Sequence, residues 1–305
     1  MSEPVNDVAA PLSEAPPAGP ASPAPALVDR LYAPVWAGGW TGVRLAFGTV
    51  SLLFLLSRAP ALADAYAAQD MVFANWPFFL ADHVRITLRT AWLLWGAGVL
   101  GLVGVLAGGR WMRPGLLLWL VADWVLLAAE SLNIKAHDRL GLWIALGLLL
   151  SPAAERGLGS KWRSPASRWY LMVVYAGIYG STGWLKLLEE PGWWSGKVLA
   201  YHLVHRYFGG GALGAWVSGQ PWLVAPMGWA TVLFEVTFPL LVWSRRLNPW
   251  LLALGASFHL GIAAMMNVGP FSWVALSAYP VLLHPDVARR IYERARGFLG
   301  RRGAA

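Results

Sequence analysis

Eight apolar stretches recur along this chain, and the loops between them carry most of its charge. They run about 40–56, 90–107, 115–129, 140–150, 169–187, 222–243, 249–266 and 270–283. Inside a hydrocarbon layer ~30 Å thick, every backbone N–H and C=O must find a partner in its own segment, so such stretches cross as helices. The sequence therefore predicts an all-α fold: a polytopic membrane helix bundle of about eight transmembrane helices plus interfacial helices. The stretches 140–150 and 270–283 are short for a crossing and need apolar flanks.

Composition agrees. Apolar residues make up 57% of the chain and charged residues 13%, where soluble domains carry roughly 25% charged. A formal charge of +8 and a pI near 10.0 could suggest a nucleic-acid partner. The basic residues lie in short loops between apolar spans and form no patch, so they act as topology signals and no nucleic acid is expected. The absence of cysteine excludes disulfides, thiol nucleophiles and a CxxC redox pair. Glu3 and Asp7 stand where a secretory signal would be basic, so a cleaved signal is not expected.

Three regions are expected: a Pro/Ala/Ser-rich, disordered tail over 1–30, a transmembrane domain over 31–287, and a basic cytoplasmic tail over 288–305. The connection 57–89, with Asp64, Asp70, Asp82, His83 and the run FANWPFF, and the segment 193–208 are expected to lie on the interface. Arg44, near the start of the first span, is expected to snorkel to the surface. Arg110, Arg113, Arg156, Lys161, Arg163, Arg168, Arg245 and Arg246 fall on the side of the termini. That bias predicts a multi-pass protein of the cell membrane with both termini cytoplasmic, and it puts Lys186, His137 and the turn NVGPF on the outer side.

Ionisable residues in or beside apolar spans are expensive and point to function by default: Asp123, Glu130, His137, Lys186, Glu235 and His259. The centre of interest is YAGIYGSTGWLKLLEEPGWWSGKVLAYHLVHRY, residues 175–207. Its small residues Ala176, Gly177, Gly180, Ser181 and Gly183 allow neighbouring helices to approach. Lys186 follows, then Glu189, Glu190 and the interfacial pair Trp193–Trp194, which could roof a site. A lysine dried by apolar walls can serve as a general base, and the same dryness admits a lipophilic cofactor. The bland alternative is a snorkelling lysine. Glu235 and His259 lie at similar depth on antiparallel spans, ~15 Å from the shared turn at ~1.5 Å per residue, and are expected to pair below Lys186. The bland readings are a structural glutamate and a core histidine. His202 and His205 share one helical face but lack a third ligand, so no metal site is expected.

Three blocks of the sequence resemble the HTTM domain, the membrane module shared by vitamin K-dependent gamma-glutamyl carboxylases and bacterial proteins. They are YGSTGWLKLLEEPGWWSGKVL, the run from Phe234 to Leu283 beginning FEVTFPLLVWSRRLNPW, and, more weakly, NIKAHDRLGLWIALGLLLSP. The resemblance implies Lys186 as the base that deprotonates a reduced quinone (vitamin K hydroquinone or menaquinol). It implies catalytic roles for His259 and His137, with Glu235, Trp193 and Trp194 around the cofactor. In the carboxylase the activated quinol leads on to proton abstraction from a glutamyl side chain and uptake of carbon dioxide, a lyase-type reaction on a separate protein substrate. This chain departs from that pattern: Leu185 stands where the carboxylase has a second lysine, and the sequence ends soon after the last span. The implied partners are the lipid bilayer and a lipophilic quinone. A non-catalytic lipid- or quinone-binding subunit or scaffold is the alternative.

Overall fold

A computed structural model describes residues 32–67, 86–129, 135–155, 158–188 and 191–302. The expected tail 1–30, most of the 57–89 connection, Glu130 and the pair Glu189–Glu190 lie outside the described residues. The chain divides into Met1–Ala33 and Pro34–Ala305, and all that follows concerns the second unit.

Among the described residues that unit is all-α apart from one short antiparallel pair, β1 (Val35–Trp36) with β2 (Trp162–Arg163), and an isolated antiparallel bridge between Gly209 and Met266. Its helices are α1 (Gly39–Ser57), α2 (Leu62–Ala67), α3 (Leu88–Ala107), α4 (Met112–Ala129), α5 (Ala136–Leu150) and α6 (Ala166–Leu188). After these come α7 (Lys197–Val204), α8 (Ala212–Ser218), α9 (Pro221–Leu241), α10 (Asn248–Met265), α11 (Phe271–Ser277), α12 (Tyr279–Leu282) and α13 (Pro285–Arg302). Among the described residues four segments are long and apolar enough to cross a membrane: Gly39–Tyr66, Leu88–Ala107, Ala166–Leu188 and Pro221–Leu241. Only 28–39% of each of these apolar windows is buried inside the protein. The rest, such as Leu100 at 68% and Leu240 at 75% exposure, presents bare hydrocarbon, as a lipid-facing surface does. The chain is a membrane protein, and these four segments fall on four of the eight stretches expected to cross.

Local signals set the helix ends. The Thr87 hydroxyl accepts from Thr90 N–H at 3.1 Å to start α3, and the Asp138 carboxylate accepts from Lys135 N–H at 2.8 Å to start α5. The last apolar stretch does not form one helix. Pro280 has no N–H, its ring collides with the preceding turn, and the stretch breaks at Ala278 into α11 and α12. Arg44 does not snorkel: its guanidinium donates to Val105 O at 2.9 Å and to Leu106 O, satisfying the last carbonyls of α3. Arg168 does the same for α12, donating to Val281 O at 3.0 Å and Leu282 O at 3.2 Å. The segment expected as a basic tail continues as α13. The core runs through the middle of the bundle, from Phe47, Leu102 and Ile144 to Tyr175, Phe234 and Phe238.

Candidate functional site

Lys186 and Glu235 meet. Lys186 ends α6, Glu235 lies two-thirds of the way along α9, and Nζ sits 2.6 Å from both carboxylate oxygens. What brings the two helices so close is the small-residue face of α6. A Cβ on Gly183 would fall 2.7 Å from Val236 N and 2.8 Å from the Glu235 carbonyl carbon, and one on Gly180 would fall 2.8 Å from the Pro239 ring. Only glycine allows that approach. The Glu235 side chain is 5% exposed and that of Lys186 19%. Trp193, buried in the turn after α6, places its ring centroid 4.8 Å from Nζ, a cation–π contact that closes the pair from above. Lys186 is therefore held between a carboxylate and an indole, with part of its side chain still accessible.

Trp194 takes no part in that roof. Its carbonyl accepts from Trp229 Nε1 at 2.5 Å, and the two indoles meet edge to face beside α9. The expected Glu235–His259 pair is also absent, because each residue has another partner on α6. His259, fully buried on α10, has Nε2 2.6 Å from the Tyr179 hydroxyl. Tyr279 from α12 stands 3.4 Å from that same hydroxyl. Depth along a helix follows from counting residues, but the direction a side chain faces around the axis depends on packing. Tyr179 precedes Lys186 by two helical turns, so one face of α6 holds both polar pairs. Neither Tyr179 nor Tyr279 was singled out from the sequence. The seven-residue spacing between Tyr179 and Lys186 was the available signal.

His137 lies elsewhere. In the first turn of α5 it is 6% exposed, with Nε2 3.4 Å from Asp138 Oδ1 and its ring edge-on to Phe54. It lines a cavity of about 270 Å³ together with Arg58, Lys135 and the Gly269–Pro270 turn. Phe271, next in the chain after Pro270, lies 5.6 Å from the His259 ring, so the two histidine sites adjoin through one turn. Asp123 faces two further small cavities beside this one. His202 and His205 pack against Phe208, and among the described residues no three His, Cys, Asp or Glu residues are grouped to hold a metal ion.

A second cavity, about 190 Å³ and almost wholly apolar, lies between α9 and α10 under α7, with Leu203, Met227, Phe234, Phe258 and Met265 in its walls. Its two hydroxyls are already committed: Thr231 donates to Met227 O and Ser257 to Ala253 O. Lys186 lines neither of these two cavities. Of its wall residues, Phe234 lies 5.0 Å from the Tyr179 ring and Phe258 5.2 Å from the His259 ring, so this cavity adjoins the Tyr179–His259 pair.

Chemically, an ammonium–carboxylate pair and its amine–carboxylic acid form differ by one proton moved across 2.6 Å. Such a pair can take a proton from a neighbouring hydroxyl, which makes the pair cationic and leaves an oxyanion that the Lys186 ammonium can then face, or it can return that proton. Searches of curated proteins and of solved structures each returned no match. The family model described as the HTTM domain matches residues 32–287. That match takes in every helix of the bundle from α1 to α12, and the chain belongs to the HTTM domain family.

Proposed function

We propose that this protein is a membrane enzyme in which the Lys186–Glu235 pair exchanges a proton with the hydroxyl of a lipophilic reduced quinone. The observation that carries the reading is the bidentate 2.6 Å pair covered by Trp193, on the same helix face as the Tyr179–His259 pair that an apolar cavity adjoins. In this reading α1, α3, α4, α5, α6, α9, α10 and the α11–α12 segment make eight crossings, with both termini cytoplasmic. The short segments cross where the protein thins the bilayer or packs them away from lipid.

The residues present fit such a ligand. The cavity between α9 and α10 suits an isoprenoid chain and offers no unpaired polar group to oppose it. Vitamin K hydroquinone and menaquinol share the chemistry required, a weakly acidic ring hydroxyl on an apolar tail. Such a group supplies reducing equivalents and an acidic O–H when bound. Lys186 is the base, Glu235 receives or returns its proton, and the Tyr179–His259 pair orients the ring. General-base catalysis of this kind contributes about 10²–10⁴-fold. Carboxylation of a separate protein substrate is a narrower version of the same reading, with His137 and its adjoining cavity serving the second substrate.

One observation favours a non-catalytic reading: both carboxylate oxygens are taken up by Lys186, and Lys186 lines neither cavity. The pair then only holds α6 to α9, and the apolar cavity holds a lipid. Purified protein in nanodiscs distinguishes the two. Quenching of tryptophan fluorescence by menaquinone reports binding, and absorbance reports consumption of the reduced form. Binding with turnover that falls at least 100-fold in Lys186→Met and Glu235→Gln, while binding persists, supports the enzyme. Binding without turnover in the unmodified protein supports the second reading, and absence of binding overturns the quinol reading.

A further inference from the structure

At the basic end of the bundle the turn between α3 and α4 faces the loop after α5 across an open recess of about 730 Å³. Gly109, Arg110, Trp111, Arg113, Ala154 and Glu155 line it. The turn is fixed from behind. Gly108 and Gly109 adopt positive φ, 69° and 58°, and a side chain on Gly108 would strike the Arg44 guanidinium that caps α3. Arg113 donates to Ser151 O at 3.3 Å, and Arg110 lies 4.9 Å over the Trp111 ring.

Charge in the recess is lopsided. Its single carboxylate, Glu155, is held by Lys161 at 3.0 Å and by Arg163 through both its oxygens. Two cations, Arg110 and Arg113, thus line the recess with one anion that is already paired by Lys161 and Arg163, and Arg110 has no carboxylate partner among the described residues. The setting is also lipidic. The recess opens just past the end of the candidate span Leu88–Ala107. Trp111 is 57% exposed at that level, where indoles favour the membrane interface. Beside it Val103, Leu117 and Leu118 present bare apolar surface.

We infer that this recess binds the phosphate group of an anionic phospholipid, with Arg110 and Arg113 on the phosphate, Trp111 at the glycerol level and the acyl chains along α3 and α4. A doubly basic recess at a helix end, with an aromatic beside it and hydrocarbon below, matches a charged headgroup on apolar tails in each part. Free phosphate shares the first of these features and lacks the second.

The test uses the full chain in nanodiscs of phosphatidylcholine doped with phosphatidylglycerol, and mass spectrometry of the lipid retained after detergent extraction. Several-fold enrichment of phosphatidylglycerol is expected. It should fall to the bulk ratio in Arg110→Gln/Arg113→Gln and persist in Arg290→Gln/Arg294→Gln, which removes the same charge from α13. Should the first double variant fail to fold, Arg110→Gln alone replaces it and is expected to lose at least half of the enrichment. Inorganic phosphate added to nanodiscs of phosphatidylcholine alone supplies the second arm, read by thermal stability. Stabilisation by phosphate without lipid enrichment overturns the lipid assignment. The absence of enrichment, or its equal loss in both double variants, overturns the site.

Discussion

Removing either member of the Lys186–Glu235 pair is expected to cost more stability than the pair itself is worth. Glu235 is 5% exposed, so Lys186→Met leaves a carboxylate in apolar surroundings without its counter-ion. Breaking a buried pair from one side costs about 3–5 kcal/mol. Lys186 is 19% exposed and keeps the Trp193 ring at 4.8 Å, so Glu235→Gln leaves a cation with partial access to water and is expected to cost less, about 1–3 kcal/mol. The double variant Lys186→Met/Glu235→Gln removes both charges and leaves two neutral side chains of similar volume, and its cost is expected near the smaller of the two single values. The interaction term of the double-mutant cycle then equals the larger single cost, about 3–5 kcal/mol, well above the ~0.5 kcal/mol within which independent sites add. The assay is reversible unfolding of the four proteins side by side in mixed micelles, followed by circular dichroism. If the double variant costs the sum of the single changes, the contact does not exist in the membrane and the proton-sharing reading falls with it.

Gly183→Ala is expected to destabilise by about 1–3 kcal/mol, because the new Cβ sits 2.7 Å from backbone on α9, and this cost should shrink in a Lys186→Met background where α6 is free to move away. Tyr179→Phe strands His259 Nε2 in a fully buried position and is expected to cost about 1–3 kcal/mol in the same unfolding assay, while Tyr279→Phe, which loses only a 3.4 Å contact, costs less. Outside the membrane-spanning segments, hydrogen bonds from Arg163 and Lys161 hold the Glu155 carboxyl down at about 2, against 4.5 ordinarily. A depressed carboxyl stabilises the fold above its unfolded value and loses that contribution as pH falls through the folded one. The difference in melting temperature between the unmodified protein and Glu155→Gln is thus expected to hold above pH 4.5 and vanish as pH falls toward 2. A difference that grows on acidification refutes the pairing of Glu155 with Arg163 and Lys161.

The sequence by itself determined the solvent of this protein and the class of its fold. Long apolar stretches with few charges leave the backbone no choice but helices, and that constraint is local, so it reads directly from the chain. It also singled out Lys186, Glu235 and His259, because a charge inside hydrocarbon is conspicuous wherever it falls, and the glycines before Lys186 announced a close helix contact. The blocks around these residues carried the HTTM resemblance as well. Partners were another matter. Counting residues put Glu235 and His259 at one depth, but only packing decided that α9 turns Glu235 toward Lys186 and α10 turns His259 toward Tyr179. Arg44 read as a surface cation and became the cap of α3, because the carbonyls it satisfies lie on a helix reached only through the tertiary fold. His137 and Gly269 lie 132 positions apart in the sequence, yet they share a cavity because α5 and α11 start side by side. Depth and polarity are properties of one segment, whereas facing and contact are properties of two, and the second kind exists only once the helices have packed.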